Sequence, residues 1–149
     1  MGIHIEYGEW KGKLAIPSGF REVVKRIGFE ERRKLGEICF IFVSETEIIR
    51  VNREFLKHDY ATDVITFSNN LKLSVGGDIF ISPERVFINA VTYESDNYME
   101  IFRVMIHGIL HLVGYGDSTL EEKGVMRKRE DYYLDWGREQ KYLKISDGL

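Results

Sequence analysis

A single cysteine, Cys39, stands in 149 residues, so no disulfide can form within the chain. It reads as a small buried hydrophobe. Proline occurs only twice, and no repeat or low-complexity run interrupts the sequence, which argues against a disordered linker. We therefore expect one domain over residues 1–149 and place no boundary within it. A long uncharged apolar run is also missing. The longest apolar stretch, Ile101 to Tyr115, contains Arg103, His107 and His111 and falls short of the ~20 residues that cross a bilayer. Met1 to Trp10 is charged and lacks the apolar core of a secretory signal, so the expected location is the cytoplasm, away from membranes. Nor is there an excess of positive charge: 21 Lys and Arg against 24 Asp and Glu give a net charge of −3. That counts against a protein that coats nucleic acid over its whole surface, but leaves room for a local basic groove. By themselves Arg127, Lys128 and Arg129, and likewise Arg50, Arg53 and Lys57, read as solvated helix surface.

What is present is a 44% hydrophobic and 30% charged mix, ordinary for a globular domain with one core. His4 to Tyr7 reads as a short strand. Pro17-Ser18 opens a helical stretch with Phe20, Val23, Val24 and Ile27 at helical spacing, ended or broken by Gly28. Glu37 to Val43 (EICFIFV) is apolar and β-rich, the pattern of a central strand. Ser44 and Glu47 form a capping-box pattern for a helix expected to bury Ile48, Val51 and Phe55. Thr62 to Ser68 and Asp78 to Ile81 read as strands, joined by a loop from Asn69-Asn70 to Gly76-Gly77. Their closeness predicts an antiparallel pair. Ser82-Pro83 caps a helix with Val86, Phe87, Ala90 and Val91 on its apolar face. After a break at Ser95 to Asn97, a helix from about Tyr98 to Val113 is apolar on most sides and belongs at the centre of the fold. Gly114-Tyr115-Gly116 ends it. Ser118 with Glu121, or Thr119 with Glu122, caps a last helix carrying Val125, Met126 and Tyr133. The class is α+β.

The chemistry lies in the central helix. His107 and His111, at i and i+4, share one face, and their imidazoles can converge on a single ion. A helix this apolar does not readily bury two histidines without partners for their nitrogens. The competing interpretation is a pair of core histidines bonded to backbone carbonyls or to tyrosine. Gly114 ends the helix at once, and Asp117 follows six residues after His111, so the turn can bring a carboxylate back to the imidazoles. Two nitrogens, one carboxylate oxygen and open water positions make a catalytic metal site. The H-E-x-x-H metalloprotease motif keeps its base beside the first histidine. Gly108 stands there instead, so this is no ordinary zincin.

The stretch His107-Gly108-x-x-His111-Leu112-x-Gly114-Tyr115 resembles the signature of the YbeY family, bacterial metal-dependent endoribonucleases of ribosomal RNA maturation. Asn52 followed by Thr62-Asp63-Val64-Ile65-Thr66-Phe67-Ser68 is similar to the family's L-N-x-x-Y-R and P-T-[DN]-V-L-S-F-P elements. Gly77-Asp78-Ile79 resembles its G-D-I, and Met126 and Glu130 fall where its final helix carries Met and Glu. The resemblance runs from residue 37 to residue 134. It implies a YbeY-like metallohydrolase domain: a small mixed, mainly four-stranded sheet flanked by helices, with a central metal-binding helix as in metalloproteases. It implies catalytic and metal-binding roles for His107, His111 and Asp117. Asp117 stands where the family has its third histidine, and the preceding aspartate of the motif falls on Gly116. One Zn²⁺ is the first choice of ion. Other divalent transition metals are the alternatives, because a carboxylate is a harder donor than an imidazole. Leu56 occupies the place of a family arginine, and the adjacent Lys57 would point about 100° away on a helix. Ala61 replaces a family proline.

The expected function is thus a metal-dependent, single-strand-specific endoribonuclease in ribosomal RNA maturation (16S rRNA processing) and ribosome quality control. Its implied partners are ribosomal RNA or other single-stranded RNA, with ribosomal proteins or the small ribosomal subunit. Arg53, Lys57 and Arg85 would steer the phosphate backbone. Thr62, Thr66 and Ser68 lie on a strand that would face the substrate, and Thr62, Asp63 and Ser68 are candidate substrate contacts. Asp63 and Asp78 either orient metal ligands or cap a strand or turn, with the turn role favoured for Asp78. His58, between Lys57 and Asp59, is expected to be exposed, and His4 has no chemical context. Two rivals stand beside this reading. One is a metal-dependent hydrolase of peptides or small molecules, against which Gly108 counts. The other is a non-catalytic ribosome-assembly factor with a structural metal. Structural zinc usually takes four protein ligands, and three candidates are evident.

Overall fold

Apolar β-rich runs and amphipathic helical runs alternate along the chain, and each run forms the element its period dictates. The computed structural model describes residues 1–58, 62–69 and 73–144. Among these, the order is β1 (Gly2–Tyr7), α1 (Phe20–Glu30), β2 (Leu35–Phe42), α2 (Glu45–Leu56), β3 (Val64–Ser68), β4 (Val75–Ile81), α3 (Pro83–Thr92), α4 (Asn97–Leu112) and α5 (Leu120–Glu139). The four strands form one mixed sheet in the order β1-β2-β4-β3. β1, β2 and β4 run parallel, and β3 lies antiparallel along β4 as the short link between them predicts. The class is α+β with a four-stranded mixed sheet, as expected.

β2 and β4 are interior strands and need apolar residues on both faces. Ile38, Phe40, Phe42, Ile79 and Ile81 enter the larger core with α1, α4 and α5. Ile41 and Phe80 turn to the other face, against Val43, Ile48 and Ile65. α4 covers the sheet at β4 and β3. It starts at Asp96, whose carboxylate accepts from the Met99 N–H at 3.1 Å, and it carries ten buried residues. Gly108 explains its closeness to the sheet: a Cβ there would lie 2.7 Å from the Ile79 side chain. Among the described residues no helix is long and apolar enough to cross a membrane.

Several local expectations change. Phe55 is 62% exposed and rests edge-on against Phe67, while Asn52, one turn after Ile48, takes the buried place on α2. Val91 and Val125 are exposed, because their helices bury narrower stripes than the apolar residues suggest. Gly28 lies within α1. Gly76 and Gly77 belong to β4, so the loop is shorter than expected, and its Asn70 lies outside the described residues, as does Ala61. Asp78 sits mid-strand and exposed rather than in a turn. Cys39 is half-buried, and burial first, then the charges of Glu6 and Asp78, push its thiol up to about 11, which disfavours the thiolate.

Candidate metal centre

Glu100, Arg103, His107 and His111 recur at intervals of three and four residues, so α4 presents one polar stripe on an apolar helix. The stripe faces a cleft of about 1080 Å³. β3 supplies the opposite wall with Val64, Thr66 and Ser68, which the strand's two-residue period puts on one side. The end of α2 adds Asn52 and Leu56, and α5 adds Lys123, Met126, Arg127 and Glu130.

The two imidazoles lie edge to face with centroids 4.5 Å apart. His107 Nδ1 lies 2.7 Å from Glu130 Oε2, and His111 Nδ1 lies 2.9 Å from the Tyr115 carbonyl oxygen. Both partners accept, so both Nδ1 atoms carry the donated proton and both Nε2 atoms hold a lone pair in the neutral ring. Those two Nε2 atoms sit 3.3 and 3.4 Å from one oxygen, Asp117 Oδ2. Three electron-rich atoms facing one another need a cation among them. A proton is one answer, and the environment of His107 shows the pull. Burial, the largest single influence, lowers its pKa, but the hydrogen bond and charge of Glu130, with Asp117 and Asp63, carry it above the ordinary value.

A metal ion is the other answer, and the geometry can hold one. Donor atoms of His107, His111 and Asp117 all lie within 4.8 Å of one another. Tetrahedral zinc with bonds of about 2.1 Å spaces its donors about 3.4 Å apart. Buried carboxylate and carbonyl acceptors behind each imidazole are the usual outer support of such sites. The support continues outward. Arg103 donates to Glu130 at 3.1 Å and to Asp131 at 2.7 Å. Tyr115 is fixed through its hydroxyl, which donates to Glu31 at 2.8 Å, while Tyr133 donates to the same carboxylate at 2.6 Å.

Comparison with known proteins places the chain in a family. The family model described as Endoribonuclease YbeY matches residues 7–136. The chain belongs to the YbeY family. A relative named Endoribonuclease YbeY from Amoebophilus asiaticus is 42% identical over 123 residues, covering 82% of this chain and 84% of the relative. Another of that name, from Cytophaga hutchinsonii, is 45% identical over 115 residues, 76% of this chain and 80% of the relative. The solution structure of TM1509 from Thermotoga maritima matches with a TM-score of 0.62 and 29% identity, over 99% of both chains.

Within this YbeY frame, the structure brings together His107, His111 and Asp117, and it brings Thr62, Asp63 and Ser68 to the cleft wall. Asp63 is half-buried, within reach of Asn89 at 3.5 Å, and burial foremost raises its carboxyl above the usual range, with His107 pulling it back. Arg53, Lys57 and Arg85 do not line the cleft. Arg85 instead pairs with Glu45 at 2.7 Å. Lys57 leaves the helical path, with φ of 58° at the end of α2, yet this irregularity does not carry it into the cleft where Leu56 stands. His58 is exposed as expected but lines the cleft. Sequence reasoning passed over Glu130 and Arg103 as site residues. The available signal was a glutamate one turn after Met126, inside the stripe that α5 buries.

Proposed function

We propose that this protein is a metal-dependent endoribonuclease that cuts single-stranded RNA in the cytoplasm, acting in ribosomal RNA maturation. We further propose that residues 1–149 act as one YbeY-like unit and that one Zn²⁺ is the native ion. The observation that carries the reading is the pair of imidazole nitrogens, their Nδ1 protons committed elsewhere, aimed at one carboxylate oxygen at 3.3 and 3.4 Å. The naming of the relatives as endoribonucleases supports RNA as the substrate.

In this reading His107 Nε2, His111 Nε2 and Asp117 Oδ2 hold the ion. When bound, a divalent ion supplies charge to polarise a phosphoryl oxygen and to acidify a water. Glu130 and the Tyr115 carbonyl keep both rings in the tautomer that can donate. Thr62, Asp63, Thr66 and Ser68 form the wall along which the strand lies. The Asp117 side chain is 41% exposed, and three ligands leave positions open to the cleft, which favours a catalytic over a structural site. Peptidase chemistry of the zincin type is disfavoured further, because a glutamate at Gly108 would collide with Ile79 instead of reaching the cleft.

The test is bound metal in the purified protein and in His107→Ala, His111→Ala and Asp117→Ala, with cleavage of unstructured RNA and of casein measured with and without chelator. RNA cleavage that chelator abolishes and zinc restores, and that His111→Ala lacks, is expected. Stoichiometric metal without RNA cleavage would overturn the reading in favour of an assembly factor.

A further inference from the structure

We propose that Lys123 and Arg127, one turn apart on α5, form a phosphate clamp that seats the RNA backbone beside the metal ligands. This rests on the endoribonuclease reading. A polyanion must approach a protein whose own net charge is −3, so attraction has to be local. Among the described residues, the lysines and arginines that line the cleft are Arg103, Lys123 and Arg127.

Arg103 is committed. Its guanidinium meets Glu130 at 3.1 Å, Asp131 at 2.7 Å and Glu100 at 3.6 Å, and its side chain is 15% exposed. Its charge is balanced by carboxylates and its position is fixed, so it supports Glu130 rather than an incoming phosphate. Lys123 is exposed and makes no ion pair among the described residues. Arg127 is 54% exposed on its side chain and lies 4.0 Å from Glu130 Oε1, the outer edge of an ion pair. Both are therefore available to a new anion.

Their placement follows from helical geometry. Met126 and Glu130 are buried on α5, and Lys123 and Arg127 flank that stripe at i and i+4 on the cleft side. Of the basic run Arg127, Lys128 and Arg129, the helix sends only Arg127 to the cleft. Arg129 turns the other way, to the Tyr115 hydroxyl at 3.1 Å. Arg127 lies 4.0 Å from the same carboxylate that accepts from His107 Nδ1, so a phosphate held there lies against the wall that carries His107. Two cations on one helix face position a backbone without reading sequence, which suits cleavage of single strands of varied sequence.

The experiment compares wild type, Lys123→Glu, Arg127→Gln, Arg127→Glu and the remote Arg138→Glu, each zinc-loaded, on a short unstructured RNA at several salt concentrations. Each clamp substitution is expected to raise KM roughly tenfold with kcat largely kept, and to flatten the salt dependence of log kcat/KM by about 0.7 for each phosphate no longer neutralised. Arg138→Glu, which changes net charge as much as Lys123→Glu and Arg127→Glu at a residue that does not line the cleft, is expected to leave both unchanged. Arg127→Gln removes the cation without setting a second carboxylate beside Glu130, and metal content, checked in every variant, reports any disturbance of Glu130. RNA cleavage by wild type with unchanged KM and slope in the Lys123 and Arg127 variants would overturn the clamp alone, as would an equal effect of Arg138→Glu. Failure of the wild type to cleave RNA would overturn the endoribonuclease reading and the clamp with it.

Discussion

On one face of α4, Ile101, Phe102, Met105, Ile106 and Ile109 are fully buried against the sheet and neighbouring helices. On another, Glu100, Arg103, His107 and His111 line a cleft. The first face is held by volume: any residue of similar size and apolarity serves, and a smaller one leaves a void. The second is held by partners. Glu130 answers both His107 and Arg103, and the Tyr115 carbonyl answers His111. A change on the first face should cost stability without touching metal affinity. A change among the partners of the second should do the reverse.

Phe102→Ala is the strongest way to break this division. Phe102 is fully buried, with its ring 6.0 Å from Phe20 and 6.1 Å from Tyr98. We expect a loss of about 3–5 kcal/mol by urea unfolding of the metal-free protein, because that cavity is walled by other fixed rings. Zinc affinity of the folded fraction should stay within about twofold. A large drop in affinity would show that the two faces are mechanically coupled.

Glu130→Gln probes the other face. The amide keeps the volume and can still accept from His107 Nδ1, but the charge behind the imidazole is gone. Loss of such outer support typically weakens metal binding about 10–100-fold. Competition with a chromogenic chelator measures it. The unfolding cost should be smaller than that of Phe102→Ala. Unchanged zinc affinity would mean that Glu130 serves Arg103 alone.

The difference between the faces also explains what could be read from the chain. Phe20, Val23, Val24 and Ile27, the EICFIFV strand and the apolar body of α4 were legible because burial imposes a period, and a period is visible in one sequence. Phe55 misled because apolarity is a poor guide at a helix end, where the neighbouring strand covers only part of the ring. At the site, His107, His111 and Asp117 were legible because helix and turn bring near neighbours together. Glu130 is 23 residues from His107, and nothing local announces that contact. Which cations line the cleft was less legible than its polar wall, where Thr62, Asp63 and Ser68 stand. Arg53, Lys57 and Arg85 looked available as charges, but which way a surface cation turns depends on partners such as Glu45 that only the fold supplies.

Acidity offers the gentlest test, and its sign separates the faces again. In the metal-free protein His107 holds its proton more tightly than an unfolded histidine does, since Glu130, Asp117 and Asp63 outweigh the burial that opposes charge. The stabilisation is full below the unfolded value of about 6.5 and is lost as pH rises through the higher folded value. Asp63, raised chiefly by burial, adds a loss in the same direction within the carboxylate range. The Tm of the chelated protein should therefore fall as pH climbs through the histidine range. In the proposed site zinc and that proton compete for Nε2, so the stabilisation given by saturating metal should grow over the same range, and the two melting curves should diverge with rising pH. Phe102→Ala should lower both curves by a similar amount and leave their divergence intact. Glu130→Gln should compress the divergence itself. If the chelated wild type gains stability with pH instead, His107 does not hold its proton between the two carboxylates in the way the distances require.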